Sequence, residues 1–189
     1  MSPDGLVRCP WGDSTDDYRQ YHDTEWGVPV HGDVALLERI TLEAFQSGLS
    51  WLTILRKREG FRSAFSGFDP VVVAAYDESD VERLMADTSI VRNRRKIEAT
   101  VTNARALVDL HAAGDTLDDL VWSFAPARRD RPQTMAQVPS STPESLALSK
   151  GLKARGFVFV GPTTMYAAMQ ACGLVDDHLA DCHVVAAAG

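Results

Sequence analysis

The chain has 189 residues, of which 45% are hydrophobic and 24% are charged, and its formal net charge is −7. This composition excludes a disordered chain, and the length suits one domain with a sizeable core. No run approaches the roughly 18 apolar residues of a membrane helix, and residues 1–5 lack the pattern of a signal peptide. Three cysteines are too few for a disulfide framework. We therefore expect a cytoplasmic protein with no membrane partner, whose cysteines are free or bound to metal.

Helix signals begin early in the chain. Asp33 stands before apolar residues at close to helical spacing, and this pattern predicts a helix that Asp33 caps. Asp69-Pro70 pairs an N-cap residue with a proline for the first helical turn. Ser79-x-x-Glu82 has the form of a capping box. Each of these signals predicts the start of a helix.

Three longer helices are predicted in the second half of the chain. An amphipathic pattern begins at residue 97 and ends at Gly114, a second helix spans 142–156, and the last spans 162–173. Two short β-branched runs, at 71–73 and 157–160, do not alternate long enough to predict strands. The expected fold is therefore all-α.

Residues 125–142 form a polar stretch that contains three prolines. A connection of this length is either a functional loop or a boundary between lobes. We predict a single domain over residues 1–189, with a helical body at 31–125 and this loop at 125–142. Residues 1–30 and 140–189 would form a terminal lobe.

Four potential metal ligands stand near the two ends of the chain: Cys9, His22, His178 and Cys182. His178 and Cys182 are four positions apart, so on a helix they would share one face. Two thiolates and two imidazoles suit tetrahedral Zn²⁺, and four protein ligands make a structural rather than a catalytic site. Such an ion would fasten the N-terminal segment to the C-terminal segment.

The same four residues are also compatible with ordinary buried positions. A His-x3-Cys pair arises by chance, and His31, His183 and Cys172 are competing candidate ligands. Cys172 lies in an apolar predicted helix, which favours packing over metal binding. Spacing alone leaves both interpretations open.

Aromatic residues are concentrated around the candidate N-terminal ligands, and one acidic residue lies in an apolar stretch. Glu43 falls on the same predicted helix face as Ile40, where an unpaired carboxylate is costly. Aromatic walls with one polar acceptor suit a pocket for a flat heterocycle. The alternative is an ordinary aromatic core with a solvated glutamate. The aromatic candidates are Trp11, Tyr18, Tyr21, Trp26 and Trp51.

Glycines bracket a short apolar turn between the last two predicted helices. Gly156 and Gly161 can leave backbone N–H groups available to a phosphate, and Lys153 adds positive charge beside them. Further basic runs lie at 56–58 and 92–96. Each basic group is equally compatible with a solvated helix face.

Taken together, these segments resemble the type I DNA-3-methyladenine glycosylases, a family of the helix-hairpin-helix DNA glycosylase superfamily. The resemblance covers residues 7–185 and depends on many ordered blocks rather than on one motif. The blocks are Arg8-Cys9-x-Trp11, Tyr21-His22-Asp23-x-Glu25-Trp26-Gly27-Val28-Pro29, Leu42-Glu43, Gly48-Leu49-Ser50-Trp51, Phe68-Asp69-Pro70, Val121-Trp122-Ser123-Phe124, Arg155-Gly156-Phe157-x-Phe159-Val160-Gly161 and Met169-Gln170-Ala171-Cys172-Gly173-Leu174-Val175.

The resemblance implies a role for each candidate residue. Glu43 and Tyr21 match the residues that hydrogen-bond the excised base, and Trp51 matches its stacking partner. Gly48-Leu49 matches the segment that fills the gap left in the duplex, and 156–161 matches the hairpin that holds the DNA backbone. The other pocket residues would be Trp11, Tyr18 and Trp26. The family's structural zinc ligands correspond to Cys9, His22, His178 and Cys182.

The activity implied by the resemblance is hydrolysis of the N-glycosidic bond of 3-methyladenine in alkylated double-stranded DNA, by a monomer that contains structural Zn²⁺ and releases the free base. No lysine is placed for a Schiff base, so we expect base excision without strand cleavage. Ala167 departs from the small polar residue expected in the pocket, and this bears on base preference. The alternatives are a zinc-containing module that binds modified DNA without chemistry, a hydrolase of small nucleosides, and a catalytic zinc enzyme.

Overall fold

The computed structural model describes residues 4–127 and 129–185, so residues 1–3, 128 and 186–189 of the predicted domain lie outside it. Within the described residues the chain forms nine α-helices and no β-strand, which confirms the all-α prediction. No helix in this part of the chain is both long and apolar enough to cross a membrane. The helices are α1 (Asp16–Thr24), α2 (Asp33–Gln46), α3 (Trp51–Ala64), α4 (Pro70–Ala74), α5 (Glu78–Ala86), α6 (Arg94–Ala112), α7 (Leu117–Trp122), α8 (Pro143–Ala154) and α9 (Pro162–Ala171).

Local capping explains where several helices begin and end. Asp69 accepts hydrogen bonds from the backbone N–H groups of Val71 and Val72 at the start of α4, and Pro70 occupies the first turn, as predicted. Thr142 caps α8 in the same manner. The glycines predicted to end α6, α8 and α9 all follow those helices with positive φ, at Gly114 (85°), Gly156 (88°) and Gly173 (74°).

The predicted cap of α2 is wrong. Gly32 is the N-cap, and Asp33 is the first helical residue. The Asp33 carboxylate accepts a hydrogen bond from the backbone of Asp118 and contacts the ring of His111. The Asp33 carboxylate therefore binds residues that are distant in the sequence and does not form the cap of α2 that the local pattern predicted.

The predicted capping box of α5 is also displaced. The Asp77 carboxylate caps the helix by accepting from the backbone N–H of Asp80, and the Asp80 carboxylate accepts from the backbone N–H of Asp77. Ser79 instead lies in the first turn and donates its hydroxyl to Asp77. A carboxylate two positions earlier therefore supplies the cap that was assigned to Ser79 and Glu82.

Helix α2 occupies the middle of the fold and contacts α3, α6, α7 and α9. Every residue from 40 to 45 is buried, so the C-terminal half of α2 is covered on all sides. A helix with no solvated face is expected to be apolar. Glu43 is therefore exceptional at this position.

The connection between α7 and α8 contains one 3₁₀ turn, Met135–Gln137. Arg131 donates hydrogen bonds to the carboxylate of Asp176 and to the carbonyl of Val184. The backbone N–H of Ala180 donates to the carbonyl of Pro132. These contacts fasten the connection to the segment that follows α9.

The segment that follows α9 is not helical. Residues 175–183 form bends and turns, so the prediction that His178 and Cys182 share a helix face is wrong. The backbone N–H of Cys182 donates to the carbonyl of Leu179 at 2.9 Å, which closes a tight turn between the two candidate ligands. A turn thus brings the imidazole and the thiol together without a helix.

Candidate functional site

A cavity of about 380 Å³ lies among α1, α2, α3, α9 and the 125–142 connection. Besides the predicted base-contacting residues, the lining residues come mainly from α9 and from 135–140, so the long connection forms one wall of the cavity. The structure therefore places all the predicted base-contacting residues around one space, while their roles in binding stay predictions. These residues are Trp11, Tyr18, Tyr21, Trp26, Glu43 and Trp51.

The aromatic rings of the cavity are packed against one another. Trp11 meets Tyr18 and Trp26 edge-on, with ring centroids 5.6 and 5.0 Å apart. Trp51 is tilted against Tyr21 at 5.4 Å. The Tyr18 hydroxyl also accepts a hydrogen bond at 3.0 Å from the backbone of the first turn of α3. Rings held in this way form rigid apolar walls suited to a flat ligand.

Glu43 is a buried acid that has no hydrogen-bonding partner among the described residues. Only 6% of its surface is exposed, and every residue of α2 from 40 to 45 is buried. Burial raises the pKa of Glu43 to about 8, although the positive charge of Arg39 acts in the opposite direction. The carboxyl group is therefore close to its ionisation point near neutral pH. A cation that enters the cavity would favour its charged form.

Tyr21 and Arg39 complete the surroundings of this acid. Burial, together with the charge of Glu43, raises the pKa of Tyr21 well above its usual value, so its phenol remains a neutral donor. Arg39 donates to Glu25 at 3.1 Å, and Arg58 donates to the same carboxylate at 2.9 Å. Arg39, whose positive charge acts on Glu43, is therefore paired with a carboxylate outside the cavity that it shares with Arg58.

A second carboxylate, that of Asp177, lines the cavity and was not found from the sequence. It accepts hydrogen bonds from Arg129 at 2.6 Å, from the hydroxyl of Tyr166 at 2.5 Å and from Gln170 at 2.8 Å. Arg129 also donates to Tyr166 at 2.5 Å. The sequence signal was an acidic residue beside the candidate ligand His178. Nothing in the sequence indicated that an arginine in the long connection would pair with it.

The four candidate metal ligands lie together, are all buried, and adjoin Trp26 of the cavity wall. The Sγ atom of Cys182 is 3.6 Å from Nδ1 of His178 and 3.5 Å from Nε2 of His22. The Sγ atom of Cys9 is 3.9 Å from Nδ1 of His178. Burial lowers the pKa of His178 to about 4, so its imidazole is neutral, which is the form that binds metal. This cluster can hold a metal ion.

Neighbouring groups orient both imidazoles of the cluster. Nδ1 of His22 is 2.8 Å from the Asp23 carboxylate, which leaves Nε2 directed at a thiol. Nε2 of His178 is 3.1 Å from the carbonyl of Trp26, which leaves Nδ1 directed at both thiols. Such partners are typical of metal-binding histidines. Because Trp26 also lines the cavity, the cluster directly supports one cavity wall.

Four of the five predicted DNA-contacting residues lie on two connections between helices, and the fifth lies at the end of α8. Gly48 and Leu49 join α2 to α3, and 43% of the Leu49 surface is exposed. Gly156 and Gly161 bracket the turn between α8 and α9, two helices that pack against each other. Lys153 is exposed in the last turn of α8. Their placement at the surface is observed, while their contact with DNA stays a prediction.

The two basic runs at 56–58 and 92–96 are largely engaged within the chain. Lys57 donates to the carbonyl of Thr88, and Lys96 is buried. The runs are therefore largely paired with other groups of the chain, which neither interpretation of the sequence predicted. The ion pairs are Arg56–Asp17, Arg58–Glu25, Arg94–Glu78, Arg94–Glu82 and Arg94–Glu98.

Comparison with known proteins gives one consistent assignment. A sequence profile of the methyladenine glycosylase family matches residues 11–185. DNA-3-methyladenine glycosylase 1 of Escherichia coli (strain K12) is 50% identical over 179 residues, which cover 94% of this chain and 96% of that protein. A crystal structure of a 3-methyladenine DNA glycosylase I superposes with a TM-score of 0.91 at 47% identity, over 94% of this chain and 98% of the other. The structure of 3-methyladenine DNA glycosylase I from Staphylococcus aureus, which concerns 3-methyladenine recognition, has a TM-score of 0.89 at 35% identity, over 95% of this chain and 96% of the other. The chain therefore belongs to the methyladenine glycosylase family.

Proposed function

We propose that this chain is a monofunctional DNA glycosylase that hydrolyses the N-glycosidic bond of 3-methyladenine in alkylated DNA and releases the free base. The observation that carries the proposal is Glu43, a buried acid without a hydrogen-bonding partner in the described chain, inside a cavity walled by aromatic rings. The names of the similar proteins support the choice of base.

Charge selects the base in this proposal. Methylation at N3 gives adenine a positive charge, which the electron-rich faces of Trp51 and its neighbours attract. Glu43 accepts hydrogen bonds from the edge of the base and favours its charged form, while Tyr21 supplies a neutral donor. Unmodified adenine gains neither attraction, because it carries no charge.

The chemical step needs little assistance. The glycosidic bond of the charged nucleotide is already weak, because the base departs as a neutral molecule. The electron pair of the glycosidic bond leaves with the base, water forms a bond to the sugar carbon, and the proton that the water loses passes to solvent. No lysine is among the lining residues of the cavity in the described chain, so a Schiff base with the sugar has no nucleophile there. The expected product is an abasic site in an intact strand.

Two surface connections engage the duplex. The backbone N–H groups near Gly156 and Gly161 bind phosphate in the manner of a helix-hairpin-helix motif, and Lys153 adds attraction that does not depend on sequence. Extrusion of the damaged nucleotide costs a few kcal/mol, and this cost is lowest for damaged bases. Leu49, presented by Gly48, occupies the gap left in the stack.

The metal ion in the proposal is structural Zn²⁺ held by Cys9, His22, His178 and Cys182. With zinc–sulfur and zinc–nitrogen bonds of about 2.3 and 2.05 Å, a tetrahedral site separates its sulfur and nitrogen ligands by about 3.6 Å. The three measured sulfur–nitrogen distances, 3.5, 3.6 and 3.9 Å, fit this value. Four protein ligands leave no position for substrate, so the ion would stabilise the fold rather than act in the reaction.

The same ion would join the two parts of the terminal lobe, residues 1–30 and 140–189. It would thereby support Trp26, which contacts both the cluster and the cavity. We also propose that the active form is a monomer, because the cavity and the ligand cluster are both built from one chain.

The direct test is the product released from duplex DNA treated with a methylating agent. We expect free 3-methyladenine, identified by chromatography, with the strands left intact until alkali is added. Tight duplex binding without release of base would indicate a binding module instead. Cleavage of small nucleosides without salt-dependent duplex binding would indicate a nucleoside hydrolase.

A further inference from the structure

Lys96 is a buried lysine at the start of α6. Only 8% of its surface is exposed, and burial lowers its pKa. Its Nζ donates at 2.8 Å to the carbonyl of Phe45 and at 2.6 Å to the carbonyl of Ser47. A buried ammonium is costly unless hydrogen bonds compensate it, and a cation is favourable at the C-terminal end of a helix. The sequence indicated that Lys96 belongs to a basic run, but in the structure its ammonium group binds backbone carbonyls at the C-terminal end of α2.

The carbonyl of Ser47 begins the turn that carries the proposed duplex-filling segment. Gly48 has a φ of 84°, which a residue with a side chain rarely adopts. The backbone N–H of Leu49 donates to the carbonyl of Gln46 at 2.6 Å, and Ser50 then caps α3. The turn is therefore held at its base while the Leu49 side chain is left partly exposed.

Asn103 makes an equivalent contact further along α6. It is 2% exposed, its Nδ2 donates to the carbonyl of Val158 at 3.1 Å, and its Oδ1 accepts from the N–H of Val158 at 2.8 Å. Val158 is in the turn bracketed by Gly156 and Gly161. Lys96 and Asn103 are seven positions apart, so they share one face of α6 at a separation of about 10.5 Å along its axis.

We propose that Lys96 and Asn103 are positioning residues, through which α6 holds the Leu49 turn and the Val158 turn at the spacing that the duplex requires. This inference depends on the proposed function, because it gives both turns a role in DNA binding. Neither residue lines the base cavity. Their loss should therefore affect the handling of duplex DNA and not the affinity of the cavity for a free base.

The experiment compares Lys96→Met with Lys57→Met in single-turnover excision from methylated duplex DNA. Lys57 is a matched control, because its Nζ also donates to a backbone carbonyl, that of Thr88, at 2.7 Å, but outside the two turns. Affinity for free 3-methyladenine is measured in parallel by tryptophan fluorescence. We expect Lys96→Met to lower duplex excision about 10-fold or more, since small misplacements are costly. Its free-base affinity should stay within about 2-fold of the unsubstituted chain, and Lys57→Met should change neither quantity.

Two further variants separate positioning from general destabilisation. If Lys96 acts through the turn that carries Leu49, the double variant Lys96→Met/Leu49→Ala should excise no more slowly than the slower of the two single variants. Lys96→Arg, which keeps the charge and the donors, should restore part of the lost rate. Asn103→Ala tests the other turn and decides the matter if Lys96→Met fails to fold.

Four results would overturn the inference: a Lys96→Met rate equal to that of Lys57→Met, an equal loss of free-base affinity, additive effects with Leu49→Ala, or an Asn103→Ala rate equal to that of the unsubstituted chain. Failure of the unsubstituted chain to release base would be a different result. It would refute the proposed function before any variant is compared.

Discussion

Glu43 and Asp177 are buried carboxylates that line the same cavity. Of the two, only Asp177 has hydrogen-bonding partners within residues 4–127 and 129–185. Three donors, from Arg129, Tyr166 and Gln170, occupy the oxygens of Asp177. Its negative charge is therefore balanced by the arginine and serves the fold. Glu43 keeps its acceptor capacity, which the proposed function assigns to the base, so the two acids of one cavity differ because their neighbours differ.

Replacing Glu43 with glutamine removes the charge with almost no change of shape. We expect Glu43→Gln to fold and to lower single-turnover excision at least about 10-fold, the effect of about 1.4 kcal/mol. Circular dichroism checks the fold, and Glu78→Gln, an exposed glutamate of α5, is the control. An unchanged rate on alkylated DNA would remove the proposed role of Glu43.

The pH dependence of excision should report the same group. Because burial raises the pKa of Glu43 to about 8, the free protein holds this group protonated at lower pH. The rate at subsaturating protein should rise with pH and level off above about 8, since that regime reports groups of the free enzyme. Glu43→Gln should lack this rise. A profile that falls through this range, or the same rise in Glu43→Gln, would contradict the assignment.

Stability should change with pH in the opposite direction. A raised pKa means that protonated Glu43 favours the folded state below its ordinary pKa of 4.5, and that this contribution is lost as the pH rises through about 8. The unsubstituted chain should therefore lose more stability between these pH values than Glu43→Gln does. Chemical denaturation at several pH values measures the difference, and parallel curves for the two proteins would count against a buried acid.

His178→Ala tests the metal cluster. The change removes one of the four proposed ligands and the hydrogen bond to the Trp26 carbonyl, so we expect loss of the proposed ion and a melting temperature lower by roughly 5–10 °C. Metal analysis and thermal melting are the measurements. If the unsubstituted protein contains no zinc, the proposed metal site is wrong.

Arg129→Ala tests the wall formed by the long connection. Asp177 would keep its contacts with Tyr166 and Gln170, so the fold should persist while the connection loosens. We expect affinity for free 3-methyladenine to fall roughly 5-fold, the effect of about 1 kcal/mol for one lost hydrogen-bonded contact. Arg94→Ala is the control, because Arg94 forms ion pairs with acidic side chains of α5, away from the cavity lining. Equal affinities in the two variants would show that the contact of Arg129 with Asp177 does not shape the cavity.

The sequence predicted six of the nine α-helices of the described residues, because glycines and apolar spacing are local signals, but it missed α1, α3 and α7 and misplaced the caps of α2 and α5. It also indicated the aromatic residues and Glu43, since a carboxylate in an apolar stretch is conspicuous. It did not predict the partners of Asp177 or the burial of Lys96, because Arg129 and Phe45 lie far from these residues in the chain. The prediction of a helix through His178 was wrong because a turn, like a helix, can bring together residues four positions apart.

The most direct measurement of the central claim is the preference of the cavity for a charged purine. The affinities for cationic 3,9-dimethyladenine and for neutral 9-methyladenine, in which a methyl group stands for the sugar, are compared in the unsubstituted chain and in Glu43→Gln. We predict that the unsubstituted chain binds the cation more tightly and that Glu43→Gln loses most of this preference. An equal preference in both proteins would contradict the account, because the selectivity would then not come from the buried acid.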